Sequence, residues 1–304
     1  MMLWAGLGVL FAAAIGGALF ARVGWPFELF MSLLPQLGAV SMLFALCMVL
    51  LGRPGTAVLA LCAVALCCWG ARDLVASRDQ PVARRDLRVV WANVLEERDA
   101  FRRTIEFARD NEADIVVLAE FPTGLSETEW RAIAGDYAHH AGRPSSGGVK
   151  VTVFSRLPLS DIEPIGISWR PNRQGMAVRI ETAAGPFTII GIHPSVPAIP
   201  VAQRARDETA RAAFQRTRDA QMPALLVGDF NTVAWAPLIR DATADGRLTR
   251  AQLGLASTWM APWPVLGLPI DHAFAANGAR ISARVGPGIG SDHLPLLIDV
   301  QIGD

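Results

Sequence analysis

The sequence predicts an α/β domain that follows an apolar, helical N-terminal region. Three observations carry this prediction. After residue 87, short β-branched apolar runs recur and are bounded by turn residues, a pattern typical of buried strands. Helical stretches are expected between or beside these runs. Before residue 76 the chain is mostly apolar and holds few charged residues, although all 304 residues together have a formal net charge of zero at pH 7.

Three apolar stretches of the N-terminal region are predicted to be transmembrane helices. They are Leu3 to Phe20, Leu29 to Leu51 and Thr56 to Gly70. A membrane span needs about 20 apolar residues, with roughly 17 to 25 tolerated. The second stretch meets this length easily, the first barely, and the third only if it extends towards Leu74 and Val75. We therefore predict a membrane anchor of three helices in residues 1–75, with two spans as the alternative, then a linker (76–86) and one α/β domain (87–304).

Each predicted strand of the α/β domain leads into polar residues. The apolar runs and the polar residues that follow them are Val89 to Ala92 with Asn93, Asp114 to Ala119 with Glu120, Phe187 to Ile192 with His193, and Ala224 to Val227 with Gly228-Asp229-Phe230-Asn231. Two further clusters, Ile270-Asp271-His272 and Ser291-Asp292-His293, lie nearer the C-terminus. Binding and catalytic residues concentrate on loops that a rigid scaffold holds at one rim. The clusters therefore predict a single active site.

Helices are predicted at Glu96 to Asn111, Glu127 to Ala134 and Ala202 to Arg218. The last of these contains an arginine-rich stretch, Arg204 to Arg218. Acidic and apolar residues are interleaved with its arginines, which indicates an amphipathic surface helix. The sequence therefore alternates strands with helices along the α/β domain.

Oxygen donors dominate the polar clusters, which favours a hard cation. Mg²⁺ prefers a few carboxylates, retained waters and substrate phosphate oxygens. Glu120, Asp292 and Asp229, with the amides of Asn93 and Asn231, supply such donors. Zinc is less favoured, because all four cysteines lie in the apolar N-terminal part and the histidines lack tight ligand spacing. We expect Mg²⁺, with Mn²⁺ as the alternative.

From about Leu87 to the C-terminus, the order of motifs resembles the endonuclease/exonuclease/phosphatase superfamily. The shared series is Asn93 after the first strand, Glu120 closing the second, Phe154-Ser155-Arg156-Leu157-Pro158, a strand ending in His193, Gly-Asp-Phe-Asn, Ile-Asp-His and a terminal Ser-Asp-His. Members include abasic-site nucleases, DNase I-like enzymes, sphingomyelinases and inositol polyphosphate 5-phosphatases. The resemblance implies a four-layer α/β sandwich, in which two mixed sheets face each other and helices cover both outer faces.

The resemblance implies that Glu120, Asn93 and Asp292 form the metal site. A cation held there would polarise a phosphoryl oxygen and stabilise the charge that leaves with the alcohol or phosphate. Asp229 would be a ligand of a second metal site. The sequence does not decide between one metal ion and two.

The resemblance also implies roles in the hydrolysis itself. His293 would be the general base, paired with Asp271, which would hold the imidazole and stabilise its cation. Asp229 and Asn231 would orient the attacking water, and Asn231 would also contact the substrate phosphate. His193 would donate to a non-bridging oxygen of that phosphate. Water would attack in line, and no covalent enzyme intermediate would form.

Two positions depart from the usual pattern of the superfamily. Abasic-site nucleases carry a tyrosine that contacts the phosphate before the His strand, but this sequence reads Ser168-Trp169-Arg170-Pro171-Asn172 there. Arg170, Asn172 or Arg173 is the candidate to replace it. The Gln-Glu pair of many members is Ala119-Glu120 here, which keeps the metal ligand and loses its polar neighbour.

The plan of three helices before this domain resembles bacterial membrane proteins linked to teicoplanin resistance. Their catalytic domain faces outward and is thought to act on polyprenyl-phosphate lipids. The distribution of arginines instead favours a cytoplasmic catalytic domain. Arg53 lies on one side of the predicted spans, and five arginines lie on the other. Those five are Arg22, Arg72, Arg78, Arg84 and Arg85. We predict a multi-pass protein of a bacterial-type cytoplasmic membrane with its catalytic domain on the outer face, because this resemblance covers the whole architecture.

The expected substrate is a phospholipid or a polyprenyl (pyro)phosphate, and the expected partner is a lipid bilayer. From Leu87 onward about 22 Lys and Arg face about 24 Asp and Glu, whereas enzymes that grip duplex DNA usually carry a basic face. The apolar, proline-rich segment Trp259 to Pro269 leads into Asp271 and would suit acyl chains if exposed, with a packed loop as the alternative. A membrane-tethered nuclease of DNA or RNA and a non-catalytic membrane adaptor are the alternative functions. The oligomeric state is left open.

Overall fold

Two six-stranded β-sheets form the centre of the protein in a computed structural model that describes residues 2–74, 82–142, 151–167, 170–254, 256–263 and 266–303. The strands are β1 (Leu87–Asn93), β2 (Ile115–Ala119), β3 (His139–Ala141), β4 (Val151–Ser155), β5 (Leu159–Ile167), β6 (Arg170–Thr182), β7 (Gly185–Ile192), β8 (Ala224–Asp229), β9 (Thr249–Arg250), β10 (Asp271–Ala276), β11 (Ala279–Val285) and β12 (Leu296–Ile302). The helices are α1 (Met2–Phe20), α2 (Phe27–Ser32), α3 (Leu34–Leu50), α4 (Pro54–Gly70), α5 (Arg98–Asp110), α6 (Glu127–Ala134), α7 (Pro200–Arg218) and α8 (Pro237–Thr243).

Both sheets are mixed. The first has the strand order β11-β12-β1-β2-β4-β3 and the second has the order β5-β6-β7-β8-β10-β9. β1 runs parallel to β2, and β7 runs parallel to β8. The two strands of each parallel pair therefore end at the same rim of their sheet. β10 is antiparallel to β8 and begins where β8 ends, so its first residues reach that rim as well.

Side-chain alternation along β1 accounts for the layers. Leu87, Val89 and Trp91 pack in the core between the two sheets, whereas Val90 and Ala92 pack in the core beneath α5 and α6. On the other side of the molecule, α7 and α8 cover the second sheet through a third apolar cluster. The resulting order of helix, sheet, sheet and helix confirms the predicted α/β fold with two mixed sheets flanked by helices.

The three helices predicted in the α/β domain are confirmed, with small shifts at two of their starts. α6 has the predicted bounds, and a capping box of Ser126 and Glu129 defines its first turn. α5 begins two residues later than predicted, because Leu95 and Glu96 have positive φ values that a right-handed helix does not include. α7 begins at Pro200, whose fixed φ suits the first helical turn.

Four helices take the place of the three predicted membrane spans. The apolar stretch Leu29 to Leu51 is not one helix, since α2 ends at Ser32 and α3 begins at Leu34. α3 and α4 have 17 residues each, and at 1.5 Å per residue each is about 26 Å long, against a hydrocarbon core of about 30 Å. Within the residues described above, no helix is both long enough and apolar enough to cross a membrane. The prediction of a multi-pass membrane protein with an outward-facing domain is therefore wrong.

The N-terminal helices α1 to α4 pack against the α/β domain. Trp235 Nε1 donates to the backbone carbonyl of Met31 (2.7 Å), and both residues are buried in an apolar cluster that also contains Ile270. Farther out, Arg22 forms a two-pronged ion pair with Asp241 of α8. Because Ile270 directly precedes β10, this cluster lies beside the rim where the predicted site residues are found. Residues 76–81 of the predicted linker lie outside the described part of the chain.

Candidate active site

In the first sheet, the register places Asn93 beside Glu120. Asn93 pairs with the last residue of β2, and Glu120 follows directly. Asn93 Nδ2 donates to Glu120 Oε1 (3.1 Å), and Asn93 Oδ1 accepts from the backbone N–H of Leu95 (3.1 Å). Nδ2 is therefore the amide atom beside Glu120, whereas Oδ1, the predicted metal ligand, is bonded to the backbone of Leu95. Glu120 has a φ of 50°, a left-handed conformation that is strained for a glutamate and that recurs at functional sites.

In the second sheet, Asp229 at the end of β8 contacts several predicted site residues. It lies directly opposite Asp271 in the antiparallel pair of β8 and β10. Its Oδ2 is 3.6 Å from Nε2 of His193 and 3.6 Å from Nε2 of His293. Its Oδ1 accepts the backbone N–H of Asn231 (2.9 Å). Asp229 is thus the central acidic group of the cluster.

In the Gly-Asp-Phe-Asn segment at residues 228–231, the structure explains the residue type at each position around Asp229. A Cβ at Gly228 would lie 2.3 Å from the carbonyl oxygen of Ile192 on the neighbouring strand, so a larger residue does not fit. Phe230 turns to the opposite side and stacks on Phe214 of α7, with ring centroids 5.6 Å apart. Asn231 has a φ of 50°, and asparagine tolerates this left-handed region better than most residues.

His293 and Asp271 form a buried dyad. His293 Nδ1 lies 2.8 Å from Asp271 Oδ2, and Trp91 Nε1 donates to Asp271 Oδ1 (2.7 Å). Asp271 has no solvent exposure. Since Asp271 engages Nδ1 of His293, the opposite ring atom, Nε2, is the one that faces Asp229. An imidazole oriented in this way can exchange a proton at Nε2 while the carboxylate stabilises its cation.

The buried charges shift the pKa values of the cluster in different directions. Burial opposes protonation of His293, but Asp271, Asp229 and Asp292 outweigh it and raise the pKa of His293 to about 10. Burial favours the neutral form of Asp271, but the charge and hydrogen bond of His293, together with Trp91, hold its pKa below the ordinary value. Burial and the neighbouring Asp271 raise the pKa of Asp229 to about 7. Asp271 is therefore held in its charged form, whereas burial and the charge of Asp271 favour the protonated form of Asp229 and raise its pKa.

Asp292 connects the last polar cluster to the apolar loop that precedes β10. Trp259 Nε1 donates to Asp292 Oδ2 (3.0 Å), and Trp259 forms backbone bridges with both Leu268 and His293. Nearer the tip of the loop, Trp263 and Leu266 are exposed. The base of this loop is therefore packed against the site, whereas Trp263 and Leu266 lie exposed farther out.

The carboxylates of the site fit a hard divalent cation. Glu120, Asp292 and Asp229 line one pocket, and their oxygens match the ligand preference of Mg²⁺. Asp229, Asp271 and His293 also offer ligand atoms that lie within 4.8 Å of one another. However, both oxygens of Asp271 and Nδ1 of His293 are already engaged in the dyad. Asp229 is the member of that group that could share a cation with Glu120 or Asp292.

The pocket that contains these residues has a volume of about 480 Å³, within the range of small-molecule sites. We call its polar side the floor; it consists of Asn93, Glu120, His193, Asp229, Asn231, Asp292 and His293. We call its apolar side the wall; it consists of Trp25, Leu29, Leu33, Val196, Pro197, Ala198, Trp259, Leu268 and Ile270. Glu28, Ser32, Leu95, Gln203 and Arg206 also line the pocket. The first three residues of the wall belong to the N-terminal region that was predicted to lie in a membrane.

His272 was singled out from the sequence but does not line the floor. His272 is buried beneath it, with its Nε2 2.9 Å from the carbonyl of Thr232, and burial lowers its pKa to about 3. The side chain of Arg170 lies outside the described part of the structure, as do those of Asn172 and Arg173, so the predicted phosphate contact there stays a prediction.

The sequence interpretation missed three residues that support the floor: Trp91, Arg206 and Glu28. Trp91 and Arg206 carried no signal, since one lies in an apolar strand and the other among many arginines of a helix. Glu28 did carry one, because it is the only acidic residue among the first 72. A buried carboxylate in so apolar a region needs a partner, and Glu28 finds one in the buried Arg206 (2.7 Å).

Comparisons with known proteins agree with this geometry. A family model described as the Endonuclease/Exonuclease/phosphatase family matches residues 90–293. No curated protein matches the chain. Among solved structures, the chain is similar to an endonuclease/exonuclease/phosphatase from Beutenbergia cavernae DSM 12333, with 21% identity over 72% of each chain and a TM-score of 0.59.

Two further solved structures share the fold at lower identity. A variant of beta toxin from Staphylococcus aureus, solved with bound magnesium ions, is 15% identical, with 70% of this chain and 99% of that chain covered and a TM-score of 0.55. A mannosyl-6-phosphatase from Bacteroides thetaiotaomicron is 14% identical, with 71% of this chain and 100% of that chain covered and a TM-score of 0.56. At these identities the likeness concerns the fold alone.

Proposed function

This chain belongs to the endonuclease/exonuclease/phosphatase family of metal-dependent phosphoester hydrolases, and we propose that it hydrolyses a phosphorylated lipid with Mg²⁺ as its cation. One observation carries the proposal: the polar floor and the apolar wall share a single pocket. A phosphate on the floor would leave the rest of the substrate beside Trp25, Leu29 and Leu33. Apolar groups are favoured in such surroundings, whereas a sugar or nucleotide would lose hydrogen bonds to water.

In the proposed reaction a water molecule attacks phosphorus in line, and the bond to the leaving oxygen breaks. Asp229 and Asn231 orient this water, and His293 takes its proton at Nε2 while Asp271 stabilises the resulting imidazolium. His193 donates a hydrogen bond to a non-bridging oxygen. Mg²⁺, when bound, supplies polarisation of the phosphoryl oxygen and charge stabilisation for the leaving group.

His293 can act as the base only in its neutral form, so its pKa must fall from about 10 when the active complex assembles. Two of the three carboxylates that raise it, Asp229 and Asp292, are also the proposed cation ligands. Neutralising these two carboxylates would remove part of the negative charge that holds the proton on the imidazole. The third, Asp271, would keep Nδ1 engaged and Nε2 directed at the water.

Cleavage of nucleic acid is the second candidate that the family allows, and the pocket supports it less. Among the described residues that line the pocket, Arg206 is the only Lys or Arg, and its nitrogens donate to protein acceptors. A polynucleotide would place several phosphates near the site and needs several cationic contacts to do so. A silent adaptor is disfavoured as well, because the hydrogen-bonded dyad and its neighbouring carboxylates are complete.

The test is hydrolysis by the purified full-length protein in Mg²⁺, with matched pairs of substrates that share a head group. Dioctanoyl phosphatidate is paired with glycerol 3-phosphate, and farnesyl phosphate is paired with isopentenyl phosphate. Undecaprenyl pyrophosphate is added because of the resemblance to teicoplanin-resistance phosphoesterases, and single- and double-stranded DNA are scored on gels. The His293→Ala variant provides the blank.

The proposal expects turnover of at least one lipid, and faster turnover of that lipid than of its head-group partner. Equal rates within each pair would contradict an apolar subsite. Nicking of DNA without lipid turnover would move the assignment to a nuclease. Replacing Mg²⁺ with Ca²⁺ or EDTA should abolish the activity, whereas unchanged activity in EDTA would contradict the cation requirement.

A further inference from the structure

Arg206 of α7 is a charged side chain with no exposure to solvent. Each nitrogen of its guanidinium donates to a protein acceptor. Nε donates to Asp207 (2.6 Å), Nη1 donates to the backbone carbonyl of Asn231 (3.0 Å), and Nη2 donates to both carboxylate oxygens of Glu28 (2.7 Å each). A guanidinium tolerates burial when it is paired in this way. Arg206 is therefore committed to the protein, although it is one of the residues that line the pocket.

Glu28 brings the opposite charge from the N-terminal region. Besides Arg206, its carboxylate accepts from the hydroxyl of Thr232 (2.8 Å) and from the side-chain amide of Gln203. These donors come from α7 and from the residue that follows Asn231. Glu28 thus ties α2 to the two segments of the α/β domain that meet behind the floor of the pocket.

Asn231 is held at three points. Its backbone N–H donates to Asp229 Oδ1 (2.9 Å), and its side-chain amide donates to the carbonyl of Pro194 (3.2 Å). Its own carbonyl accepts from Arg206. The first two contacts lie within the rim of the sheet, and the third depends on a guanidinium that Glu28 orients. Because Asn231 has a left-handed backbone, it needs such support to hold that conformation.

We infer that Glu28 and Arg206 act as a positioning pair for Asn231. Glu28 orients the guanidinium of Arg206, and Arg206 holds the backbone carbonyl of Asn231. The backbone N–H of Asn231 in turn holds the carboxylate of Asp229. Every guanidinium nitrogen of Arg206 is engaged by protein acceptors, so the pair acts on the site through Asn231. The inference rests on the proposed function, since it takes Asn231 and Asp229 to be the residues that orient the attacking water. It makes the N-terminal region a part of the support of the active site.

The test compares Arg206→Lys with Arg22→Lys. Lysine at residue 206 keeps the positive charge beside Glu28, but one ammonium group cannot reproduce the planar fork that reaches Asp207, Glu28 and Asn231 together. Arg22 is the matched control, because it joins the same two regions through an exposed ion pair with Asp241 and does not line the pocket. Glu28→Asp and Asp241→Glu form a second pair that alters the carboxylates and keeps their charges.

Two quantities are measured for each variant at a temperature where all are folded: kcat and KM for dioctanoyl phosphatidate, and hydrogen exchange of the backbone amides at residues 229–233. We expect Arg206→Lys to lower kcat about tenfold or more with a much smaller change in KM, since the loss concerns geometry of the reacting groups. Exchange at 229–233 should become faster. Arg22→Lys and Asp241→Glu should change neither quantity, and Glu28→Asp should resemble Arg206→Lys.

Unchanged kcat and unchanged exchange in both Arg206→Lys and Glu28→Asp would overturn the inference, even if both variants unfold at a lower temperature. A fall in kcat of the same size in Arg22→Lys would also overturn it, because the effect would then follow from docking of the N-terminal region in general. If the wild-type protein hydrolyses no phosphoester, the proposed function fails. The exchange comparison still decides whether the pair holds Asn231.

Discussion

The floor and the wall of the pocket come from different parts of the chain and from different kinds of residues. The floor is polar and is drawn from the ends of strands in both sheets, where register alone brings Asn93 to Glu120 and Asp229 to Asp271. The wall is apolar, and a third of it comes from α2 and the segments on either side of it. The two parts therefore have different tasks. The floor supplies chemistry common to the family, and we expect the wall to determine which substrate binds.

Glu28 is the point where these two parts depend on each other. It lies in α2, between the wall residues Trp25 and Leu29, yet its carboxylate faces Arg206 and Thr232 behind the floor. Changes to exposed residues of the N-terminal region should therefore leave the chemistry intact, whereas changes at Glu28 should not. Substitutions in the floor and in the wall should affect different kinetic quantities.

The largest effect is expected for His293→Ala in the floor. Loss of the general base should lower kcat by about 100-fold to 10,000-fold, with the same ratio of lipid to head-group turnover, because the wall is unchanged. Steady-state kinetics on a matched substrate pair measure both quantities. Activity within a few-fold of the wild type would remove His293 as the base.

The wall should respond to Leu29→Asn with a loss of selectivity. Replacing an apolar contact by a polar one should lower kcat/KM for the lipid about tenfold to 100-fold, with little change for the head group alone. Leu43→Asn is the matched control, because Leu43 is an exposed leucine of α3 that does not line the pocket. The idea of an apolar subsite would fail if both substitutions changed the selectivity ratio equally.

Beneath the floor, Trp91→Phe should destabilise the fold. The substitution removes the Nε1 donor of Asp271 Oδ1 and leaves a buried carboxylate oxygen without that bond, at a cost of about 1–3 kcal/mol in the free energy of unfolding. Denaturant unfolding measures this cost. Trp263→Phe, at an exposed tryptophan, should change the unfolding free energy very little. A Trp91→Phe protein as stable as the wild type would show that another donor replaces the indole.

The acid stability of the fold should depend on His272. Its folded-state pKa is lowered to about 3 by burial, whereas the unfolded chain takes up the proton near pH 6.5, so the contribution is fully present above that pH. As pH falls below 6.5, stability should decline by up to about 1.4 kcal/mol per pH unit until the folded pKa is reached. His272→Gln should flatten this decline in urea unfolding at pH 6.5 and pH 5. Identical slopes for variant and wild type would contradict a neutral, buried His272.

Much of the α/β domain could be predicted from the sequence, because its elements are short and locally specified. The runs around Val89, Ile115, Ile189 and Leu225 became strands, and the capping box at Ser126 defined a helix start. The polar residues that end those strands met at one rim because parallel and antiparallel neighbours share that end. Local pattern and tertiary packing agree in this part of the molecule.

The N-terminal region could not be predicted in the same way. Its composition is that of membrane spans, but a break at Leu33 divides the longest stretch into α2 and α3. What decides its place is packing of Met31 on Trp235 and the pairing of Glu28 with Arg206, contacts between residues about 180–200 positions apart. No local pattern encodes contacts over such a separation. Glu28 alone gave a signal, as a lone acidic residue in an apolar region.

We expect the apolar wall to give this phosphoesterase a preference for phosphorylated lipids. The most direct test of this preference is the ratio of kcat/KM values for dioctanoyl phosphatidate and glycerol 3-phosphate, measured on the wild-type protein in Mg²⁺. We expect a ratio of about 100 or more, since the acyl chains would bury several methylene groups against the wall. A ratio near one, with measurable turnover of both compounds, would contradict it.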